Sequence, residues 1–139
     1  MAKRFSISID SRVERLAEVS DFVENAACDC GLNAKQVYDV QMAVDEACSN
    51  VIEHAYSGKP SGTIAIVCEK RGNEFVIAIR DTGKPFDPKR VARPKVNGRL
   101  DERTIGGLGL YFMDKMMDHV KFEFTHDGNL LTMVKRIKK

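Results

Sequence analysis

Met42-Ala43-Val44-Asp45-Glu46-Ala47-Cys48-Ser49-Asn50-Val51-Ile52-Glu53-His54-Ala55-Tyr56 carries two faces at helical spacing. Val37, Val40, Val44, Cys48, Val51 and Ala55 fall on one side at 3.6-residue intervals, the stripe of a helix that lies on a core. Glu46, Asn50 and Glu53 stand at i, i+4 and i+7, within about 60° of one another on the other side. Asn33 caps this helix, which the spacing carries to about Ala55. Ser57-Gly58-Lys59-Pro60-Ser61-Gly62 then breaks it. A long helix ending in a Gly/Pro turn and followed by two β-rich runs, Thr63 to Glu69 and Glu74 to Arg80, predicts a helix laid against a hairpin.

Working outward, Phe5, Ile7 and Ile9 alternate with Arg4, Ser6 and Ser8, which predicts a half-buried strand over Lys3 to Ile9. Asp10 or Ser11 is the expected cap of a first helix carrying Val13, Leu16, Ala17, Phe22, Val23, Ala26 and Ala27, with Gly31 as its stop. Toward the C-terminus, a helix is expected from about Leu108 to Met117. Val120 to Thr125 and Leu130 to Arg136 then flank the turn Asp127-Gly128-Asn129. The order strand, helix, helix, hairpin, loop, helix, hairpin predicts an α+β sandwich, a mixed and mostly antiparallel sheet with helices on one face. No internal repeat is present, so residues 1–139 are expected to form a single domain.

Composition narrows the function. The chain has 139 residues, is 43% hydrophobic and carries a net charge of +2, with both signs interspersed. That balance removes the strong positive field of a protein living on nucleic acid. The basic tail Lys135-Arg136-Ile137-Lys138-Lys139 keeps nucleic acid open as a minor reading beside a solvated terminus. No apolar run reaches the length of a membrane span and the N-terminus lacks a secretory h-region, so a cytoplasmic protein with no membrane partner is expected. Cys28, Cys30, Cys48 and Cys68 contain no C-x-x-C pair and read as buried, reduced side chains; zinc held by Cys28, Cys30 and His54 is the alternative that the spacing disfavours.

Three motifs carry chemistry. Glu46 and Asn50, one turn apart, offer a proton acceptor and a neutral oxygen for a hard cation such as Mg²⁺; solvated polar groups are the plain alternative. Asp81-Thr82-Gly83-Lys84-Pro85-Phe86-Asp87-Pro88 follows an apolar strand, so Asp81 can offer an acceptor at a pocket floor, with Gly83 allowing close backbone approach to a flat ligand. A strand-ending turn explains the same residues. Gly106-Gly107-Leu108-Gly109-Leu110 opens a helix whose free N–H groups attract phosphate, without matching a P-loop or Rossmann pattern. Between the last two motifs lies a long basic loop, in which Lys84, Lys89, Arg90, Arg93, Lys95, Arg99 and Arg103 face only Asp87, Asp101 and Glu102. It reads as a lid over an anionic ligand or as a solvated loop.

In this order the three motifs resemble the N box and two glycine boxes of the GHKL ATPase/kinase superfamily, which includes gyrase B, ATP-driven heat-shock chaperones, MutL and histidine-kinase catalytic domains. The helix DEACSNVIEHAY, the turn DTGKPFDP and GGLGLYFMDKMMD before a terminal hairpin are most similar to bacterial anti-sigma factor serine/threonine kinases of the RsbW and SpoIIAB type. The resemblance implies a Bergerat-type two-layer fold and ATP with Mg²⁺ as ligands. It makes Glu46 the catalytic base and Asn50 the metal and phosphate ligand. Asp81 and Gly83 contact adenine, Gly107, Leu108 and Gly109 contact the phosphates, residues 84–106 form the ATP lid, and Arg103 stands where related kinases place a lid arginine. It implies a kinase that phosphorylates an anti-anti-sigma (STAS-type) protein, a sigma factor as a second partner, and a homodimer formed near the first strand and helix. A nucleotide-gated binding module of the same fold without kinase activity is the alternative. His54 lies inside the N box and reads as a hydrogen-bonding helix-end residue, and no helix with a phosphoacceptor histidine and no transducer segment is recognised.

Overall fold

The computed structural model describes residues 3–84 and 113–137. Strand β1 (Arg4–Asp10) begins the chain, a 3-10 turn (Val13–Arg15) leads into helix α1 (Leu16–Asp29), and helix α2 (Ala34–Asn50) continues into a π-helical turn (Val51–Ala55). Strands β2 (Thr63–Arg71), β3 (Glu74–Asp81), β4 (His119–Thr125) and β5 (Gly128–Arg136) complete one sheet of order β1-β2-β3-β5-β4. Every neighbouring pair is antiparallel. The expected α+β sandwich is therefore present, with strand ends within two residues of those read from periodicity; the expected helix from about Leu108 to Met117 lies outside the described residues as far as position 112.

Alternation decides which sheet face meets the helices. Ile64, Ile66 and Cys68 on β2, Phe75, Ile77 and Ile79 on β3, and Leu131 and Met133 on β5 point inward, at 6% exposure or less. They meet Val19, Val23, Ala26 and Ala27 of α1 and Val40, Ala43, Val44, Ala47 and Cys48 of α2 in one cluster. The residues between them, among them Ala65, Val67, Ala78 and Arg80, form the sheet's outer face. Cys30, Cys48 and Cys68 are buried, and burial pushes the Cys48 and Cys68 thiols up to about 12, so both stay protonated. Cys28 departs from expectation, being exposed on the outer side of α1.

The helix ends explain the joint between α1 and α2. Gly31, at φ +94°, lets the Leu32 N–H reach the Ala27 carbonyl at 3.1 Å and the Gly31 N–H reach Cys28 at 3.1 Å, which closes α1 with a Schellman motif. Asn33 Oδ1 then accepts from the Gln36 N–H at 2.9 Å while the Asn33 N–H donates to Gln36 Oε1 at 3.0 Å, a reciprocal capping box. Gln36 is buried and its Nε2 donates to the Arg136 carbonyl at 2.7 Å, so the cap also fastens α2 to the last strand.

Two sequence expectations fail at the start of α1 and at the tail. Neither Asp10 nor Ser11 caps the helix: Asp10 pairs with Arg12 and Arg15, and Ser11 Oγ donates to the Lys59 carbonyl and accepts from the Gly62 N–H. The 59–62 loop has taken the serine that a helix end would use. Because a 3-10 turn precedes α1, the stripe also shifts; Val19 is buried, whereas Val13 and Ala17 are exposed. At the tail, Lys135 turns inward to Asp39 at 3.2 Å and donates to the Met116 carbonyl, so it is a buried ion-pair partner and no part of a basic patch. Among the described residues no helix is long and apolar enough to cross a membrane.

Gln36→Ala removes half of the capping box and leaves the Arg136 carbonyl without its side-chain donor. It is expected to lower stability by about 1–3 kcal/mol, read from urea denaturation midpoints at unchanged slope.

Candidate nucleotide site

The π turn sets the geometry of the site. Its Tyr56 N–H donates to the Val51 carbonyl at 3.1 Å, five residues back, so the last turn of the long helix is wider than the turns before it. This turn delivers the Ala55 carbonyl to the Lys84 N–H at 2.8 Å. A Cβ at Gly83 would lie 2.5 Å from that carbonyl oxygen. Gly83 therefore allows close approach, as the sequence suggests, but the visible neighbour is the helix end itself. Tyr56 locks the same corner, its hydroxyl donating to the Thr63 carbonyl at 2.7 Å and accepting from the Thr82 N–H at 2.9 Å.

Asp81 ends β3 at the floor of a narrow cleft of about 40 Å³ between α2, the π turn and the ends of β3, β4 and β5. Its Oδ1 accepts from the Gly83 N–H at 2.9 Å and from Asn129 Nδ2 at 2.8 Å. Asn129 also donates to the Gly83 carbonyl at 3.2 Å. Gly128, at φ +138°, makes this possible, since a Cβ there would lie 2.5 Å from the Asp81 carbonyl oxygen. The walls are apolar: Ala47, Val51, Ala55, Ile79, Met113, Phe122 and Leu131 surround the carboxylate, a slot suited to a flat heteroaromatic ring with a donor at its edge.

Asn50 and Asn129 face this cleft, each 7% exposed, and each has a buried polar atom without a partner among the described residues, Nδ2 of Asn50 and Oδ1 of Asn129. A buried, unpaired amide group costs about 1–3 kcal/mol unless something satisfies it. Two such groups converging on one apolar slot fit a polar ligand there. Asn50 offers an amide oxygen of the kind that Mg²⁺ accepts and an N–H pair that suits a phosphate oxygen. The residues present therefore fit a nucleotide with its metal.

Glu46 lies one turn before Asn50 on α2, about 6 Å along the axis, and is not among the residues lining the cleft. Burial, followed by the charges of Asp45 and Glu53, raises its carboxyl pKa above the ordinary value. A carboxylate held this way is a stronger proton acceptor than a solvated one. Glu53 falls on the widened turn and is exposed.

The structure thus brings Asn50 and Asp81 together at one cleft, with Gly83 behind Asp81 and Glu46 one helical turn away. Arg103, Gly107, Leu108, Gly109 and the lid beyond Lys84 lie outside the described residues. Asn129 is the residue that the sequence reading missed. Asp127-Gly128-Asn129 reads as turn chemistry, yet β5 begins at Gly128 and Asn129 pairs in register with Asp81. Its alternation with Leu131 and Met133, both core residues, is the signal that places it inward.

Comparison with known proteins bears on this geometry. The family model described as histidine kinase-like ATPase domain matches residues 9–135. Serine-protein kinase RsbW of Bacillus thuringiensis (strain Al Hakam) is 28% identical over 142 residues, spanning 99% of this chain and 87% of the relative. RsbW of Bacillus subtilis (strain 168) is 25% identical over 138 residues, spanning 96% and 86%. Among solved structures, the RsbU and RsbW domains of a Mycobacterium tuberculosis protein superpose with a TM-score of 0.73 at 16% identity. That match covers 99% of this chain, which spans 33% of the solved one. The blue-light activated histidine kinase of Erythrobacter litoralis gives 0.57 at 12% identity, covering 87% of this chain and 41% of that one. At these identities the two structures show the shared fold.

The raised Glu46 pKa has a consequence for stability. The folded chain keeps this proton to higher pH than the unfolded chain, so ionising Glu46 lowers stability as pH rises from the ordinary carboxylate value, about 4.3, through the raised one. Glu46→Gln is expected to melt above wild type at pH 8, with the difference closing below about pH 4, in thermal melts across that range.

Proposed function

Because this chain belongs to the histidine kinase-like ATPase domain family, we propose that it is an ATP-dependent protein serine/threonine kinase acting as an anti-sigma-type regulator. Its substrate on this reading is a small antagonist protein of the anti-anti-sigma (STAS) type, with a sigma factor as the regulated partner and a homodimer as the working form. The reading rests on one observation: α2 carries a half-buried Glu46 one turn before Asn50, and Asn50 lines a cleft floored by Asp81. The full-length similarity to RsbW serine-protein kinases supports it.

Each residue then has a task. Asp81 accepts from the amino group of adenine, with its orientation fixed by the Gly83 N–H and Asn129. Asn129 Oδ1 adds a second acceptor beside it. Asn50, which lines the cleft, would hold the metal and the phosphates. Mg²⁺, when bound, supplies charge neutralisation at the transferring phosphoryl group. Glu46 takes the proton of the acceptor hydroxyl, and its raised pKa matches that task. Gly107, Leu108, Gly109 and Arg103 complete the phosphate side on the same reading.

Label transfer from γ-labelled ATP with Mg²⁺ into a lysate of the source cells tests the kinase. Wild type is expected to label one small protein, and Glu46→Gln to lower that transfer about 100-fold or more while binding a fluorescent ATP analogue as before. Equal transfer by Glu46→Gln removes Glu46 as the base, and silence from wild type that binds ATP removes the kinase. For the base pocket, Asn129→Ala is expected to weaken binding of the analogue about ten-fold, or about 1.4 kcal/mol, measured by titration.

A further inference from the structure

Tyr38, Met42, Glu46 and Asn50 stand four residues apart on α2. Such a row runs obliquely around a helix, advancing about 6 Å and turning about 40° at each step. Along it, exposure falls from 57% at Tyr38 and 42% at Met42, through half-buried Glu46, to 7% at Asn50. The row descends from open solvent into the wall of the cleft. Its upper end presents two large apolar side chains to water, Met42 one turn and Tyr38 two turns before the residue placed as the base. Tyr and Met are the side chains that protein interfaces favour, one large and amphipathic, the other able to adapt its shape.

The flanks limit what can sit there. On the α1 side, Gln41 Nε2 is tied to the Ser20 carbonyl at 3.2 Å and to Glu24 Oε2 at 3.1 Å, which closes the groove between the two helices. Lys35 and Asp45 are exposed and border the pair with charge, as a polar rim borders an apolar contact. The other exposed large apolar side chains among the described residues, Val13 before α1 and Phe124 on β4, lie on different elements. An acceptor hydroxyl can give its proton to Glu46 only if the protein that carries it covers the surface next to Glu46. Among the described residues, the exposed large apolar side chains that adjoin Glu46 along α2 are Met42 and Tyr38.

We infer that Tyr38 and Met42 form the docking ridge for the phosphoacceptor protein, a small folded protein with an apolar patch about 6–12 Å from the serine or threonine hydroxyl that it offers. The inference rests on the kinase reading above. Affinity for the acceptor comes from this ridge and turnover from Glu46, so the two are separable by mutation.

The test takes as probe the acceptor protein that wild type labels, purified in its unphosphorylated form. For Tyr38→Ser/Met42→Ser, the KM for this acceptor is expected to rise at least ten-fold. Its kcat at saturating acceptor should stay within two-fold, with affinity for the ATP analogue and melting temperature unchanged. Tyr38→Phe/Met42→Leu keeps the apolar surface and is expected to hold KM near wild type. Glu46→Gln splits the other way, losing kcat at an unchanged acceptor KM. The single variants Tyr38→Ser and Met42→Ser carry the same test should the pair lower the melting temperature. An unchanged KM in the serine variants overturns the docking ridge and leaves the kinase standing. The absence of any acceptor labelled by wild type overturns both.

Discussion

The carboxylate of Asp81 is held from two directions by donors that come from different parts of the chain, and much of the molecule is arranged so that both can reach it. One donor is the N–H two residues on, which requires the chain to turn tightly at Gly83 against the Ala55 carbonyl. The other is the Asn129 amide, which requires β5 to run beside β3 in the register that pairs Asp81 with Asn129. A slip of one residue in that register would send Asn129 to the outer face with every other core side chain of β5. The hydrophobic core and the position of one carboxylate are therefore fixed by the same pairing.

Helix α2 divides its circumference among three tasks. Val40, Val44 and Cys48 pack on the sheet, Asn50 reaches the cleft, and Tyr38 and Met42 face solvent. Glu46 sits one turn before Asn50 at the boundary between the packed interior and solvent, where partial burial and the neighbouring charges of Asp45 and Glu53 act on it together. A fully solvated carboxylate would be an ordinary weak base, and a fully buried one would stay protonated. The boundary gives an intermediate case, at some expense of stability above the ordinary carboxylate pKa.

Most of the fold was legible in the sequence because its signals are periodic. Ile64, Ile66 and Cys68, or Val37, Val40 and Val44, repeat at intervals that only one element satisfies, and Gly31 and Asn33 mark the joint between helices by their own backbone chemistry. The parts that were not legible depend on which of several partners a residue chooses. Ser11 has the right chemistry for a helix cap and is used instead by a loop almost fifty positions away. Lys135 belongs to a basic run in sequence and to a buried ion pair in space. Asn129 follows a glycine in a turn-like triplet and is a strand residue facing the cleft. In the site, Asn50 and Asp81 could be named from motif and order, while the passage of α2 into a π turn leaves residue types unchanged and has no periodic signature.

That π turn has a meaning in chain length. It holds one residue more than the α-helical turn that it replaces. The wide turn absorbs that residue within a single circuit, so the helix before it and the chain after it keep their places while the turn between them swells. The swollen turn carries the Ala55 carbonyl against position 83, where a Cβ would lie 2.5 Å from its oxygen. The width of one helical turn and the bare backbone two residues past Asp81 are thus the two sides of a single contact.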